Sequence, residues 1–389
     1  MPALFLLFAV GVLTPETTDA SDTLAVDEER PTTTTLRSWE FGAFVDTAYS
    51  LDFNFPPNHT FRSRSTTPRV NELDLNMTGI SVRKDPEVSS PWGAELLAQA
   101  GEDSKEFGFG VNEPKVASSD QLRHFGRANI SYLTPGSGNL LIQAGLFNSF
   151  IGYESLYAKD NANYTRAWVS EYSPYLMFGV NATYKISPHL TGAVFVINGY
   201  WHLSHPNDLP SYGAQVAWKG ASRFSLRQTI YYGPDQSDTS IKYWRFFSDS
   251  IATWQEGPVT IGLDYQIGTE IVAGLSGSPR TFWTGASLPI QWHVAGPWSA
   301  AVRPEFYWDP NGRLTGSEQL IKTVSVTLEH RSSVRFGEAI LRLEYRFDES
   351  TGPQGGFFTK IEGSGNTVGL TPAQQVLIFS AIWTFSIHP

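Results

Sequence analysis

No cysteine occurs in the 389 residues, so disulfide scaffolds and thiolate chemistry, whether catalytic or metal-binding, are excluded. Charge is scarce as well, at 17% Asp, Glu, Lys and Arg against about 25% in an ordinary soluble chain. Yet beyond residue 13 no apolar run reaches the 18 or more residues that a spanning helix needs. Positive charge is not in excess: 28 basic against 38 acidic residues leave a net charge of −10, which argues against a nucleic-acid partner. Catalytic signatures are missing too. The chain has no Gly-x-Ser-x-Gly elbow, no phosphate-cradling glycine loop ending in Lys-Ser/Thr, and no His-Glu-x-x-His. His202 and His205 stand three apart near Asp208, but no fourth ligand is evident, so no metal and no cofactor are expected. Neither catalytic residues nor an enzyme are expected from this set. No stretch resembles a linker between domains either.

Aromatics and glycine are plentiful: 34 Gly, 25 Phe, 16 Tyr and 12 Trp. From Trp39 onward they sit in runs of alternating hydrophobicity. In Ala339-Ile340-Leu341-Arg342-Leu343-Glu344-Tyr345-Arg346-Phe347 the odd positions are apolar, whereas Arg342, Glu344 and Arg346 fall on even ones. A period of two puts these sets on opposite faces of a strand. Such runs recur sixteen times, at roughly 39–54, 70–82, 92–101, 120–133, 139–150, 174–186, 189–200, 211–218, 222–232, 241–254, 258–268, 281–293, 298–308, 319–331, 334–347 and 375–386. Their length of about ten residues and their even number suit a transmembrane barrel.

The connections alternate in length. Short ones carry turn residues, as in Thr134-Pro135-Gly136-Ser137-Gly138, Gln255-Glu256-Gly257 and Ala295-Gly296-Pro297. Long ones fall near 55–69, 102–118, 151–173, 201–210, 233–240, 269–280, 309–318 and 348–374. Short periplasmic turns and long external loops produce this alternation, with both termini inside. Tyr132, Tyr184, Trp218, Tyr232, Trp254, Trp292, Trp298 and Trp308 fall near strand ends, as amphipathic rings at a membrane boundary should. The expected architecture is an all-β, antiparallel, up-and-down transmembrane barrel over 39–386. Residues 1–20 are expected to be a signal peptide, with an apolar stretch from Ala3 to Leu13 and a small residue, Ala20, before Ser21. Residues 21–38 are expected to be a structureless periplasmic lead-in.

The chain resembles the beta-barrel porin-2, OmpL-like family of bacterial outer-membrane proteins. The resemblance rests on Phe41-Gly42-Ala43-Phe44-Val45-Asp46-Thr47-Ala48-Tyr49 with Asn54 and Pro57, on Asn71-Glu72-Leu73-Asp74-Leu75, and on Ile142-Gln143-Ala144-Gly145-Leu146-Phe147 leading to Ile151-Gly152-Tyr153-Glu154. It continues in Asn163-Tyr164-Thr165-Arg166, Pro174-Tyr175 with Gly179-Val180, Val196-Ile197-Asn198-Gly199-Tyr200-Trp201, Tyr231-Tyr232-Gly233-Pro234, and Leu341 to Asp348. The order and spacing of these motifs carry the likeness. It implies an outer-membrane pore, and it carries over no substrate and no catalytic residue.

Sixteen strands leave a water-filled lumen, so passive diffusion of small hydrophilic solutes or ions is the expected function, with outer-membrane lipid around the barrel. A homo-oligomer is compatible with it. Strand parity puts Asp46, Asp74, Glu95, Arg127, Arg223, Arg227, Arg245, Arg303, Glu305, Arg342, Glu344 and Arg346 on the pore lining. By analogy of order with general porins, 151–173 is the candidate constriction loop, carrying Glu154, Lys159, Asp160, Arg166 and Glu171. Acids on strands one to three and arginines on strands nine and ten are expected to face each other across the lumen and set up a transverse field. The rival readings are a closed or plugged structural or adhesive barrel, an outer-membrane hydrolase, for which His124 and His293 lack clear partners, and a soluble periplasmic binding protein.

Overall fold

The computed structural model describes residues 39–105, 122–203, 207–220, 223–236, 239–274, 277–352, 354–363 and 365–387. The expected signal peptide, the lead-in and much of the second long connection lie outside them, as does His205. Alternation becomes strand throughout. The wall is built of β1 (Trp39–Asp52), β2 (Leu73–Lys84), β3 (Trp92–Ala100), β4 (Phe125–Leu133), β5 (Leu140–Asn148), β6 (Leu176–Ser187), β7 (Leu190–Ile197), β8 (Ser211–Lys219) and β9 (Phe224–Pro234). It continues with β10 (Trp244–Glu256), β11 (Val259–Ile271), β12 (Arg280–Ser287), β13 (Ile290–Ala295), β14 (Trp298–Asp309), β15 (Gln319–Val334), β16 (Gly337–Thr351) and β19 (Ala373–Ile387). A small hairpin, β17 (Phe357–Lys360) with β18 (Val368–Thr371), stands in the last long connection.

Each strand pairs antiparallel with its neighbours, and β19 returns to β1, with Phe41 opposite Ile387 and Asp52 opposite Val376. Strands β12 and β13 both lie between β11 and β14 and are two halves of one stave, so the closed barrel has 16 staves. The break has a local cause. Pro289 and Pro304 meet where the register passes from Ser287–Glu305 to Ile290–Val302, and neither proline has an N–H to give the ladder. The fourth segment, expected from residue 120, begins its strand at Phe125, leaving His124 in the preceding turn with its carbonyl accepting from Gln99 N–H.

Side chains sort by parity. Leu341, Leu343 and Tyr345 are exposed on the outer face, while Arg342, Glu344 and Arg346 between them are buried inside. Aromatic pairs ring both ends. Trp92–Tyr132 (4.8 Å between centroids), Trp218–Phe224 (6.2 Å) and the stacked Trp383–Phe385 lie at the short-turn end. Tyr232–Trp244 (5.4 Å) and Phe282–Trp308 (5.9 Å) lie at the loop end. The band between them is aliphatic, with Ile130, Val194, Val216 and Val326 all exposed. Exposed aliphatics bounded by two aromatic girdles fit a bilayer, where the rings rest at the headgroups.

The outer face can be tested at Val326, half exposed near the middle of β15 between Val302 and Tyr345. Val326→Lys should lower the unfolding free energy of the refolded barrel by about 2–4 kcal/mol in phospholipid vesicles, the cost of a cation near mid-bilayer. An unchanged denaturant midpoint would remove Val326 from the lipid face.

Candidate functional site: the loop inside the barrel

The connection between β5 and β6 folds into the barrel. It has little secondary structure of its own, one 3-10 turn at Ala158–Asp160 and one helical turn, α2, at Trp168–Glu171. Asn161 closes its tip by accepting from Ser155 N–H (2.8 Å) and donating to Ser155 O (2.8 Å). Ile151, Tyr157, Ala158, Tyr164, Arg166, Trp168 and Val169 are all buried. Irregular backbone in a space this tightly filled must find partners for its peptide groups, and the barrel wall supplies them.

On the way in, Phe150 O accepts from Gln215 Nε2 and Thr229 Oγ1, each at 2.7 Å. Gly152 N–H donates to Asp249 at 2.8 Å, and Tyr153 N–H to Asp264 at 3.0 Å. Arg227 donates to Gly152 O. Glu154 pairs with Arg303 at 2.6 Å. At the tip, Arg342 donates to Ala158 O (2.6 Å) and Asn161 O (2.7 Å). On the way out, Glu344 accepts the N–H groups of Tyr164 (2.5 Å) and Thr165 (3.1 Å). Tyr164 Oη donates to Asp46 at 2.9 Å. Trp168 N–H donates to Glu305 (2.5 Å), and its indole N–H to Thr323 (2.9 Å). Arg346 lies between Asp348 (2.8 Å) and Glu305 (3.2 Å).

Two further contacts fix the loop from above. Arg166 pairs with Asp103 (2.9 Å) of α1 (Glu102–Lys105). Glu171 pairs with Arg64 (2.7 Å) and accepts the N–H groups of Ser65 (2.8 Å) and Thr66 (3.0 Å) from the first long connection. Neither Arg64 nor Asp103 is singled out by the sequence, because both lie in loops where parity says nothing. Burial alone would raise the Glu171 carboxyl, but Arg64 and the Thr66 and Ser65 hydrogen bonds hold it below its ordinary value. Burial pushes the Asp103 carboxyl up to about 7 against the pull of Arg166 and the Thr67 N–H, with Asp46 and Glu171 adding to the rise.

The residues expected to line the pore thus divide. Arg303, Glu305, Arg342, Glu344 and Arg346 point inward but are buried beneath the loop. Asp46 is likewise covered, by Tyr164. Asp74, opposite Ala48 in register, points inward near the loop end. Glu95 and Arg127 pair at 2.5 Å and remain partly open, at 17% and 20% side-chain exposure. Arg223 stands at the turn-side rim, exposed and paired with Glu256, and so is not part of the interior wall. The expectation of acids facing arginines across the lumen is also corrected. Arg245 is neutralised by Asp235 (2.8 Å) and Glu270 (3.2 Å) on its own side, and the loop occupies the space between Asp46 and Arg227. Within the loop, Lys159 and Asp160 pair at 2.6 Å beside a 360 Å³ cavity at the turn end, lined also by Arg331, Glu338 and Thr384. His202 Nε2 lies 2.8 Å from Asp235 O, and no metal-binding cluster occurs among the described residues.

A continuous barrel with two aromatic girdles and an inward-folded loop defines an outer-membrane channel. Residues 38–385 match the family described as "Putative beta-barrel porin-2, OmpL-like", and the chain belongs to that family. It is a porin of the bacterial outer membrane, a channel for passive diffusion of small hydrophilic solutes. No curated protein matches its sequence. Among solved structures, the outer membrane channel DcaP of Acinetobacter baumannii aligns over 89% of this chain and 97% of its own, at 11% identity and TM-score 0.59. The anion-selective porin from Comamonas acidovorans covers 90% and 99%, at 10% identity and TM-score 0.55. OmpT of Vibrio cholerae in its trimer form covers 89% and 99%, at 8% identity and TM-score 0.52. At such identities the likeness is one of fold.

The Asp103 clasp has a pH signature. A carboxyl with an ordinary value of 3.8 raised to about 7 in the folded barrel keeps its proton to higher pH folded than unfolded. Its contribution to stability is therefore full below 3.8 and is lost as pH rises to about 7. Urea unfolding across that range should show this decline, and Asp103→Asn, which keeps an acceptor for Arg166 but cannot ionise, should remove it. Matching pH profiles for the two proteins would exclude the assignment.

Proposed function

We propose that the 149–175 segment is the constriction of this porin, and that solutes pass between it and the β3–β7 wall. The supporting observation is the set of hydrogen bonds that ties the segment to staves from β8 round to β1. A loop held at so many points narrows the lumen permanently. The half-buried inward side chains Glu95, Arg127 and Gln143 lie on the side it leaves less covered. On this reading Arg303, Glu305, Arg342, Glu344 and Arg346 act on transport by positioning the loop, and Glu95 and Arg127 by meeting the solute. Glu154, Lys159, Asp160, Arg166 and Glu171 then set where the constriction lies more than its charge. Assembly as a homo-oligomer, after the trimer form of Vibrio cholerae OmpT, belongs to the same proposal, and cross-linking in membranes checks it.

Purified protein in planar bilayers should give discrete conductance steps. Arg303→Ala combined with Glu154→Ala, which removes a buried pair at 2.6 Å without stranding either charge, should loosen the loop and raise the step size. Absence of any steps from folded wild-type protein would reject the channel in favour of a closed structural barrel. Steps of unchanged size in the double variant would reject the loop as the constriction.

A further inference from the structure

The wall from β3 to β6 carries a chain of amides. Asn181 Nδ2 donates to Gln143 Oε1 (3.1 Å), Gln143 Nε2 to Asn129 Oδ1 (2.8 Å), and Asn129 Nδ2 to Glu95 Oε2 (3.4 Å) and Leu146 O (2.9 Å). Strand register sets this chain: Glu95 stands opposite Asn129 and Gln143 opposite Asn181, with Ser131 beside Gln143. It therefore crosses four consecutive strands at one depth. Its acidic end is balanced, since Arg127 Nε holds Glu95 Oε1 at 2.5 Å and Arg127 is itself fixed by Asn148 Oδ1 (3.2 Å) and the Tyr157 ring (5.6 Å).

Three properties follow. The groups are oriented in advance, because each amide is held by its neighbour. Their capacity is not exhausted, since a primary amide has two N–H donors and two acceptor lone pairs. Gln143 uses one of each along the chain and, being half-buried, has the others available to a solute. The row also carries no net charge, so an ion gains little there against the water it must shed. A hydroxyl group is donor and acceptor at once and matches such a row.

We propose that Gln143, oriented by the buried Asn129 and Asn181 and flanked by the half-buried Glu95–Arg127 pair, forms a lumenal binding track for neutral polyhydroxylated solutes of sugar type. This rests on the porin reading above, and it names the solute class that the track favours.

The test is single-channel recording from full-length protein in planar bilayers, with sucrose added and compared with a polyethylene glycol of equal hydrodynamic radius. The glycol has ether acceptors and almost no donors. Sucrose should reduce the current in a saturable way, and the glycol only in proportion to its concentration. Gln143→Leu with Asn181→Leu should raise the half-blocking sucrose concentration about tenfold, the effect of losing one or two net hydrogen bonds, with block taken as a fraction of each variant's own open current. Gln143→Glu, nearly isosteric and lacking the donor, should weaken the block as well, and serves if the double variant fails to fold. A linear sucrose response like that of the glycol, or a saturable block that neither variant changes, would overturn the track while leaving the porin intact. A folded wild-type barrel that conducts nothing would overturn the porin reading, and the track with it.

Discussion

Irregular chain inside a barrel must have its peptide groups satisfied, and the rest of this interior follows from that requirement. Helix and sheet satisfy their own backbone. Residues 149–175 mostly do not, so carboxylates of the wall take their N–H groups and guanidinium groups their carbonyls. Glu344 serves Tyr164 and Thr165, Glu305 serves Trp168, and Arg342 serves Ala158 and Asn161. Burying these charges would be prohibitive one at a time. They are tolerable because they come as a mixed set, Arg342, Glu344, Arg346 and Asp348 alternating in sign down β16, with Glu329 on β15 and Arg303 and Glu305 on β14.

The same requirement accounts for what could and could not be read from the sequence. A period of two is local, so the staves, their faces and the long and short connections are visible in residue order alone. The charged ladder of β16 is visible too, but only as a face turned inward. Its partners are not, because they depend on where a loop lies in space. Tyr164 and Glu344 are 180 positions apart, and Arg64 and Glu171 107. Across an empty lumen Asp46 and Arg227 would face each other; the loop that fills it gives each a partner. In residue order Asn163-Tyr164-Thr165-Arg166 shows a family likeness and, at Arg166, a loop charge, but no partner. In the fold it meets Asp46 and Glu344, members of two other such motifs, so the segments carrying the likeness converge on one contact region.

The two sides of the barrel differ in ways that bear on transport. Strands β1, β15, β16 and β19 run to 14, 16, 15 and 15 residues and include the charged face of β16 beneath the loop, whereas β3, β4, β5, β7 and β8 have only 8 or 9. The inward side chains at mid-height on the shorter side include Asn129, Gln143, Asn181 and Gln215. The loop leans on the taller side, where long strands offer successive inward positions along its descent.

Pairing also limits how far these charges act. A guanidinium within about 3 Å of a carboxylate leaves a dipole, whose field falls off faster with distance than that of a lone charge. Arg245, Arg303, Arg342 and Arg346 are each matched in this way, so little net field reaches the far wall. The chain's formal charge of −10 is therefore a poor guide to what a solute meets at the narrowest level. There the discrimination falls to clearance and to hydrogen-bonding groups held in place, because those act at contact and are not cancelled by a neighbour of opposite sign.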